Sequence, residues 1–166
     1  MTPRLVLLCG TSFSGKSTVA QTLAPRLAAT IVSLDEINAR RGLWGGDGIP
    51  AKEWIRTHAE ATTETRALLT AGTSVIVDDT SSPRFLRDAW RALAADADAD
   101  AQFTLLYLDI DHAEIHARRA ANQTTGGRQD LTDEVLTQHL ADFDPPHPDE
   151  NPVYLSSVDL ASGWAP

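Results

Sequence analysis

Gly10-Thr11-Ser12-Phe13-Ser14-Gly15-Lys16-Ser17 decides how the rest of this chain is read. The stretch satisfies the pattern G-x-x-x-x-G-K-[ST] at every fixed position. Before it comes a short, nearly continuous apolar run, Arg4–Cys9, which predicts a strand buried on both faces. After it comes Lys16–Ala28, where Val19, Leu23 and Leu27 recur at helical spacing. A strand, a glycine turn and a helix are the context in which this pattern holds phosphate. The glycines allow a tight turn and close approach of backbone to an anion. The loop N–H groups point inward, and the helix brings its positive end to the same place. Gly10 through Ser17, with Thr18 in the first helical turn, are therefore the expected contacts of ATP or GTP. Lys16 is expected at the β- and γ-phosphates, and the Ser17 hydroxyl on Mg2+.

Working outward, strands and helices alternate. Thr30–Ser33 reads as a second strand and Asp35–Arg41 as a short helix. Gly42, Gly45, Gly46, Gly48 and Pro50 mark an irregular segment. Ala51–Ala71 reads as a long helix closed by Gly72, and Ser74–Asp78 as a third strand. Pro83 suits the first turn of a helix that continues through Arg84–Ala95. Asp96–Asp100 alternates Asp and Ala and reads as a solvated turn. Phe103–Asp109 is a fourth strand, Asp111–Asn122 a helix, Gln123–Asp130 a Gly/Thr-rich loop and Leu131–Asp142 another helix. A proline-rich turn, Pro145–Pro152, leads to a fifth strand at Val153–Ser156. Such alternation predicts an α/β fold, a parallel sheet with helices on both faces, in one domain over residues 1–166.

Composition narrows the partners. Residues 1–91 carry 11 Lys/Arg and 9 Asp/Glu, while residues 92–166 carry 3 and 14. The resulting net charge of −9 repels a polyanion at long range and disfavours nucleic acid as the partner. No apolar run approaches the roughly 20 residues that span a bilayer, so no membrane role is expected. Cys9 is the sole cysteine, which excludes an internal disulfide and suits a reducing, cytoplasmic setting.

In an open parallel sheet, ligands bind at the carboxyl ends of the strands. Asp35 follows the second strand, Asp78 and Asp79 end the third, and Asp109 and Asp111 end the fourth. Phosphoryl transfer to a hydroxyl needs a carboxylate that orients the acceptor and takes its proton. Asp35 is the candidate for that role; the alternative is that it caps a helix starting at Glu36. Asp78 is placed to hold a metal-bound water or the Ser17 hydroxyl. Asp79 and Thr80 either contact the acceptor or cap the helix at Pro83. Asp109 and Asp111 read as helix caps. Arg118, Arg119 and Arg128 cluster around the loop at 123–130, and an arginine there stabilises charge on a transferring phosphoryl group. Arg118 is the first candidate and Arg128 the second. The segment 42–66 is expected to cover the acceptor. It offers Trp44 to a ligand, Trp54 to core packing and His58 to packing or solvent.

Taken together, the order of these segments resembles the small P-loop kinases that include the kinase domain of polynucleotide 5′-kinases. Chloramphenicol phosphotransferase and zeta-toxin-like kinases are similar in outline. The resemblance rests on Gly10–Ser17, Ser33-Leu34-Asp35-Glu36-Ile37, Val75-Ile76-Val77-Asp78-Asp79-Thr80, the helix with Arg84, Arg87 and Trp90, the arginines after Leu108-Asp109, and the turn Phe143-Asp144-Pro145-Pro146. It implies a three-layer P-loop NTPase fold, with an adenylate-kinase-like five-stranded parallel sheet and an arginine-bearing lid at about residues 118–130. It also implies ATP and Mg2+ as donor, with Asp35 as base. Polynucleotide kinases carry Asp-x-x-Arg where this chain has Asp35-Glu36-Ile37-Asn38. Asn38 is neutral and cannot hold an acceptor phosphate. Arg40 and Arg41 lie about 200° and 300° from it around a helix, so Arg41 is the nearer substitute. The expected activity is transfer of the γ-phosphate of ATP to a hydroxyl of a small molecule such as a nucleoside, sugar or antibiotic. The alternatives are a polynucleotide 5′-hydroxyl kinase and a non-catalytic nucleotide-binding regulator.

Overall fold

The computed structural model describes residues 1–44, 48–96, 98–127, 130–156 and 159. Five strands, β1 (Arg4–Cys9), β2 (Ala29–Ser33), β3 (Ser74–Asp78), β4 (Gln102–Leu108) and β5 (Val153–Leu155), form one sheet in the order β2-β3-β1-β4-β5. Every neighbouring pair is parallel, with Leu5 opposite Val75 and Phe103 on either side of β1. The helices are α1 (Lys16–Leu27), α2 (Leu34–Arg40), α3 (Ala51–Thr70), α4 (Arg84–Ala94), α5 (His112–Thr125) and α6 (Asp133–Asp142).

The apolar run of β1 is continuous because the sheet is covered on both faces. Leu5, Leu7 and Cys9 join one core with Val75, Val77, Trp90 and Leu93, beneath α3 and α4. Val6 and Leu8 point the other way, into a second core with Val19, Leu23, Ile115 and Leu136 from α1, α5 and α6. Burial pushes the Cys9 thiol up to about 12, so it sits in the core as a neutral group.

Several boundaries differ from the sequence expectation, each for a local reason. Helix α2 starts at Leu34, because the Ser33 hydroxyl accepts from the Glu36 N–H and acts as its cap. Asp35 therefore stands inside the first turn and does not cap the helix. Pro83 is extended and caps α4 from outside, instead of occupying its first turn. Helix α5 runs on to Thr125, where Gly126 turns left-handed at φ 64° and donates its N–H to Asn122 O. At α6 the Thr132 hydroxyl accepts from the Val135 N–H, so the helix begins at Asp133. A 3-10 turn, Pro148–Glu150, interrupts the proline-rich segment.

With β1 central, the loops that follow β1, β2 and β3 leave the same edge of the sheet. That edge carries an open cleft of about 1200 Å3.

Candidate active site

The cleft is lined on one side by the loop after β1. Phe13 and Gly15 have left-handed backbones, φ 63° and 100°, and the buried Phe13 ring anchors the loop in the second core. At Gly10 a Cβ would lie 2.7 Å from Ser14 Oγ and 3.3 Å from Leu108 O, so any larger residue here requires Ser14 to shift. The Gly10 N–H donates to Thr80 O at 3.2 Å, which ties this loop to the one after β3.

Lys16 Nζ bends back over the loop and donates to Gly10 O at 3.0 Å and Thr11 O at 2.9 Å. Ser17 Oγ donates to Asp78 Oδ2 at 2.8 Å, joining α1 to the end of β3. Desolvation raises the Asp78 carboxyl above its ordinary value, against the Ser17 hydrogen bond and the Lys16 charge; the Asp35 and Asp79 carboxylates push it further up. The Ser17 hydroxyl and the Asp78 carboxylate in contact are a pair of oxygen donors. Mg2+ is held in this manner in phosphate sites, with few protein ligands and the rest from water and phosphate. The residues present fit that ion.

Across the cleft, Asp35 lies on the first turn of α2, exposed, and makes no hydrogen bond or ion pair among the described residues. Asp79 also lines the cleft; it accepts from the Ser81 N–H at 3.1 Å, and His58 Nε2 approaches its Oδ2 at 3.9 Å. Thr80 lines the cleft beside it and gives its carbonyl to Gly10. Trp44, 71% exposed, stands at the cleft, and Trp54 both lines it and packs on the first core. Asn38 lines the cleft but is 3% exposed. Arg41 does not line it: the guanidinium pairs with the Glu53 carboxylate and donates to Thr57 Oγ1 at 2.6 Å. The expected stand-in for an acceptor-phosphate contact is thus turned into the protein.

The three clustered arginines separate. Arg118 Nη1 donates to Phe13 O at 3.2 Å and Ser14 O at 2.9 Å, and Nε donates to Glu114. Arg119 is nearly buried and ties α5 to the start of α6, donating to Leu131 O and pairing with Asp133. Arg128 lies outside the described residues. Asp111 is the residue before α5 without a side-chain cap bond, and Asp109 accepts from Tyr107 Oη at 3.4 Å.

Arg87, which carries part of the resemblance, was given no role by the sequence. Arg87 on α4 is fully buried; its Nε and Nη2 donate to Glu150, and Nη1 donates to Ser81 O and Asp144 O. It holds the backbone that carries Asp79 and Thr80. Nothing in the local sequence gives that role, because Glu150 lies 63 residues along the chain.

A family model described as AAA domain matches residues 5–146. The chain belongs to this AAA domain family. The uncharacterized protein Rv2004c of Mycobacterium tuberculosis is 32% identical over 161 aligned residues, covering 88% of this chain. The chain spans about a third of that relative, 31% of its length. Among solved structures, a sugar kinase from Janibacter sp. HTCC2649 superposes with a TM-score of 0.65 at 21% identity, covering 93% of this chain and 85% of its own. The APS kinase CysC of Mycobacterium tuberculosis, in complex with AMPPNP and APS, gives 0.65 at 21%, with 94% and 89% covered. A chain of the Pnkp1/Rnl/Hen1 RNA repair complex gives 0.69 at 22%, with 85% and 44% covered. At such identities the likeness concerns the fold, and this AAA domain has the α/β fold of P-loop kinases. No helix among its described residues is long and apolar enough to cross a membrane.

Proposed function

We propose that this AAA domain is a phosphotransferase that moves the γ-phosphoryl group of ATP to a hydroxyl of a small molecule. The observation that carries the reading is Asp35. Its carboxylate has no partner among the described residues, and it lines the same cleft as Lys16 and Ser17. A carboxylate engaged in capping or pairing is a poor proton acceptor; this one is uncommitted.

The roles follow from position. Asp35 accepts a hydrogen bond from the acceptor hydroxyl and takes its proton as the new O–P bond forms and the bond from Pγ to the bridging oxygen breaks, releasing ADP. Lys16 exchanges its two loop carbonyls for phosphate oxygens, which are stronger, charged acceptors. Arg118 reaches the loop carbonyls at residues 13 and 14 and from there adds positive charge to the equatorial oxygens. Ser17 and Asp78 would hold Mg2+, which would neutralise charge on the β- and γ-phosphates. The AMPPNP in the APS kinase complex supports ATP as donor, and the sugar kinase and a gluconokinase of like fold support a small hydroxylated acceptor. The net charge of −9 and the inward turn of Arg41 both weigh against a polynucleotide acceptor.

The test offers γ-labelled ATP and Mg2+ to the protein with a pool of nucleosides, sugars and antibiotics in one tube and a 5′-hydroxyl oligonucleotide in another. Label is expected in the pool, and Asp35→Asn is expected to lose about 10^2- to 10^4-fold in rate while still binding AMPPNP. Label on the oligonucleotide alone transfers the reading to a polynucleotide kinase. An Asp35→Asn variant with full turnover removes Asp35 as base.

A further inference from the structure

Helices α2 and α3 meet under the acceptor side of the cleft, where side chains of both form one hydrogen-bonded series. Arg41, at the end of α2, pairs with the Glu53 carboxylate and donates to Glu53 O at 2.9 Å and to Thr57 Oγ1 at 2.6 Å. A guanidinium is a donor only, so the Thr57 hydroxyl receives that bond on a lone pair and turns its own proton elsewhere. It donates to Asn38 Oδ1. In this network the amide is oriented with Oδ1 toward the Thr57 hydroxyl. Nδ2 is the other end of the amide. It is buried in the cleft wall with no hydrogen-bond partner, in a residue 3% exposed that lines the cleft three positions after Asp35. Residues three apart on a helix share a face. A buried donor without an acceptor costs stability, and the cost is recovered when an oxygen is brought to it.

The charge beneath this amide is neutralised internally, since Arg41 faces Glu53 and neither lines the cleft. What α2 brings to the cleft beside Asp35 is a neutral amide, not a cation. We infer that Asn38 Nδ2 is a specificity contact. It donates to an uncharged oxygen, a hydroxyl or a ring ether, next to the hydroxyl that Asp35 takes. The acceptor is accordingly a neutral polyhydroxylated molecule and not a phosphorylated one. The inference rests on the phosphotransfer proposed above. Thr57 and Arg41 are positioning residues: they hold the amide in its orientation without touching the substrate.

Neutral hexoses and nucleosides are offered with labelled ATP beside hexose 6-phosphates and 3′-phosphorylated nucleosides. Transfer is expected to a neutral member and not to its phosphorylated counterpart. Asn38→Leu is expected to raise the KM for that acceptor by roughly tenfold or more with kcat little changed, as for a bond made equally in ground and transition states. Thr57→Val moves KM in the same direction and less, because the amide is then free to reverse. A preference for phosphorylated acceptors, or an unchanged KM in Asn38→Leu, overturns the inference. A second readout needs no turnover. With the nucleotide site filled by AMPPNP, the Asn38 side-chain amide signal in a 15N spectrum, assigned by its loss in Asn38→Leu, is followed on adding each set. A shift with the neutral set alone upholds the inference even where no label moves, an outcome that sinks the phosphotransfer reading by itself. Any other pattern of shifts overturns the inference.

Discussion

On one side of the cleft, Gly10–Ser17 builds a wall from consecutive residues, and Lys16, proposed above to meet phosphate, comes from this one loop. On the other side, the wall is assembled from side chains of separate elements. Asp35 and Asn38 come from α2 and Asp79 from the end of β3, with Thr57 of α3 and Arg87 of α4 supporting them from behind. Phosphate looks the same in every nucleotide, so a backbone cradle serves it whatever the surrounding sequence. An acceptor must be told apart from its competitors, and that takes side chains placed by tertiary packing.

Four substitutions sharpen or break this contrast. Arg87→Met acts on the assembled wall. It leaves the nearly buried Glu150 carboxylate without its partner and is expected to cost about 3–5 kcal/mol in denaturant unfolding. The Arg87 hydrogen bond holds the Glu150 carboxyl below its ordinary value of 4.5. Its stabilisation is thus present above that value and fades as pH falls through the lowered one, so wild type and variant should converge in stability at strongly acid pH. Equal stability of the two at neutral pH would remove Arg87 as the support of this wall.

Next, Arg118→Ala is expected to lower kcat by about 10^2- to 10^3-fold with little change in stability, because the side chain is partly exposed and its partners on the loop are carbonyls. Unchanged kcat would hand its role to another cation. Gly10→Ala acts on the backbone wall, where the added Cβ meets Ser14 Oγ at 2.7 Å. An overpacking cost of about 1–3 kcal/mol should appear as AMPPNP affinity weakened by about tenfold to a hundredfold, readable by titration calorimetry. Unaltered affinity would mean that the loop yields freely at its first glycine.

The smallest effect has the most informative sign. Desolvation raises the Asp78 carboxyl above its ordinary 3.8, so its contribution to stability is full below that value and is lost as pH rises through the raised one. At neutral pH the charged carboxylate strains the free protein, and Asp78→Asn should raise Tm while abolishing any further rise on adding Mg2+ and AMPPNP together. A lowered Tm would show that the Ser17 hydrogen bond outweighs the desolvation.

Much of the sheet was legible because β1, β3 and β4 are apolar on both faces and are bounded by glycine, proline or aspartate. Boundaries slipped where a cap chose them: Ser33 rather than Asp35 starts α2, and Gly126 delays the end of α5. Among the site residues, Lys16, Ser17, Asp35, Asp78, Asp79 and Arg118 all come to the one cleft. Arg41 does not, since helical phase describes direction around an axis and not the charge that waits there; Glu53, 12 residues on, captured it.

By itself the sequence determined the phosphate loop, the alternating order of strands and helices, and the carboxylates at the strand ends. Those features depend on neighbours in the chain, through turn geometry and periodicity. Only the tertiary structure decided that Arg118 meets the loop while Arg119 braces α6, that Asn38 takes the Thr57 proton on its amide oxygen, and that Arg87 finds Glu150. The partners lie 105, 19 and 63 residues apart for Phe13–Arg118, Asn38–Thr57 and Arg87–Glu150. Across such separations spacing carries no directional information, and a side chain's role is set by whichever complementary group the packed helices bring within hydrogen-bond reach.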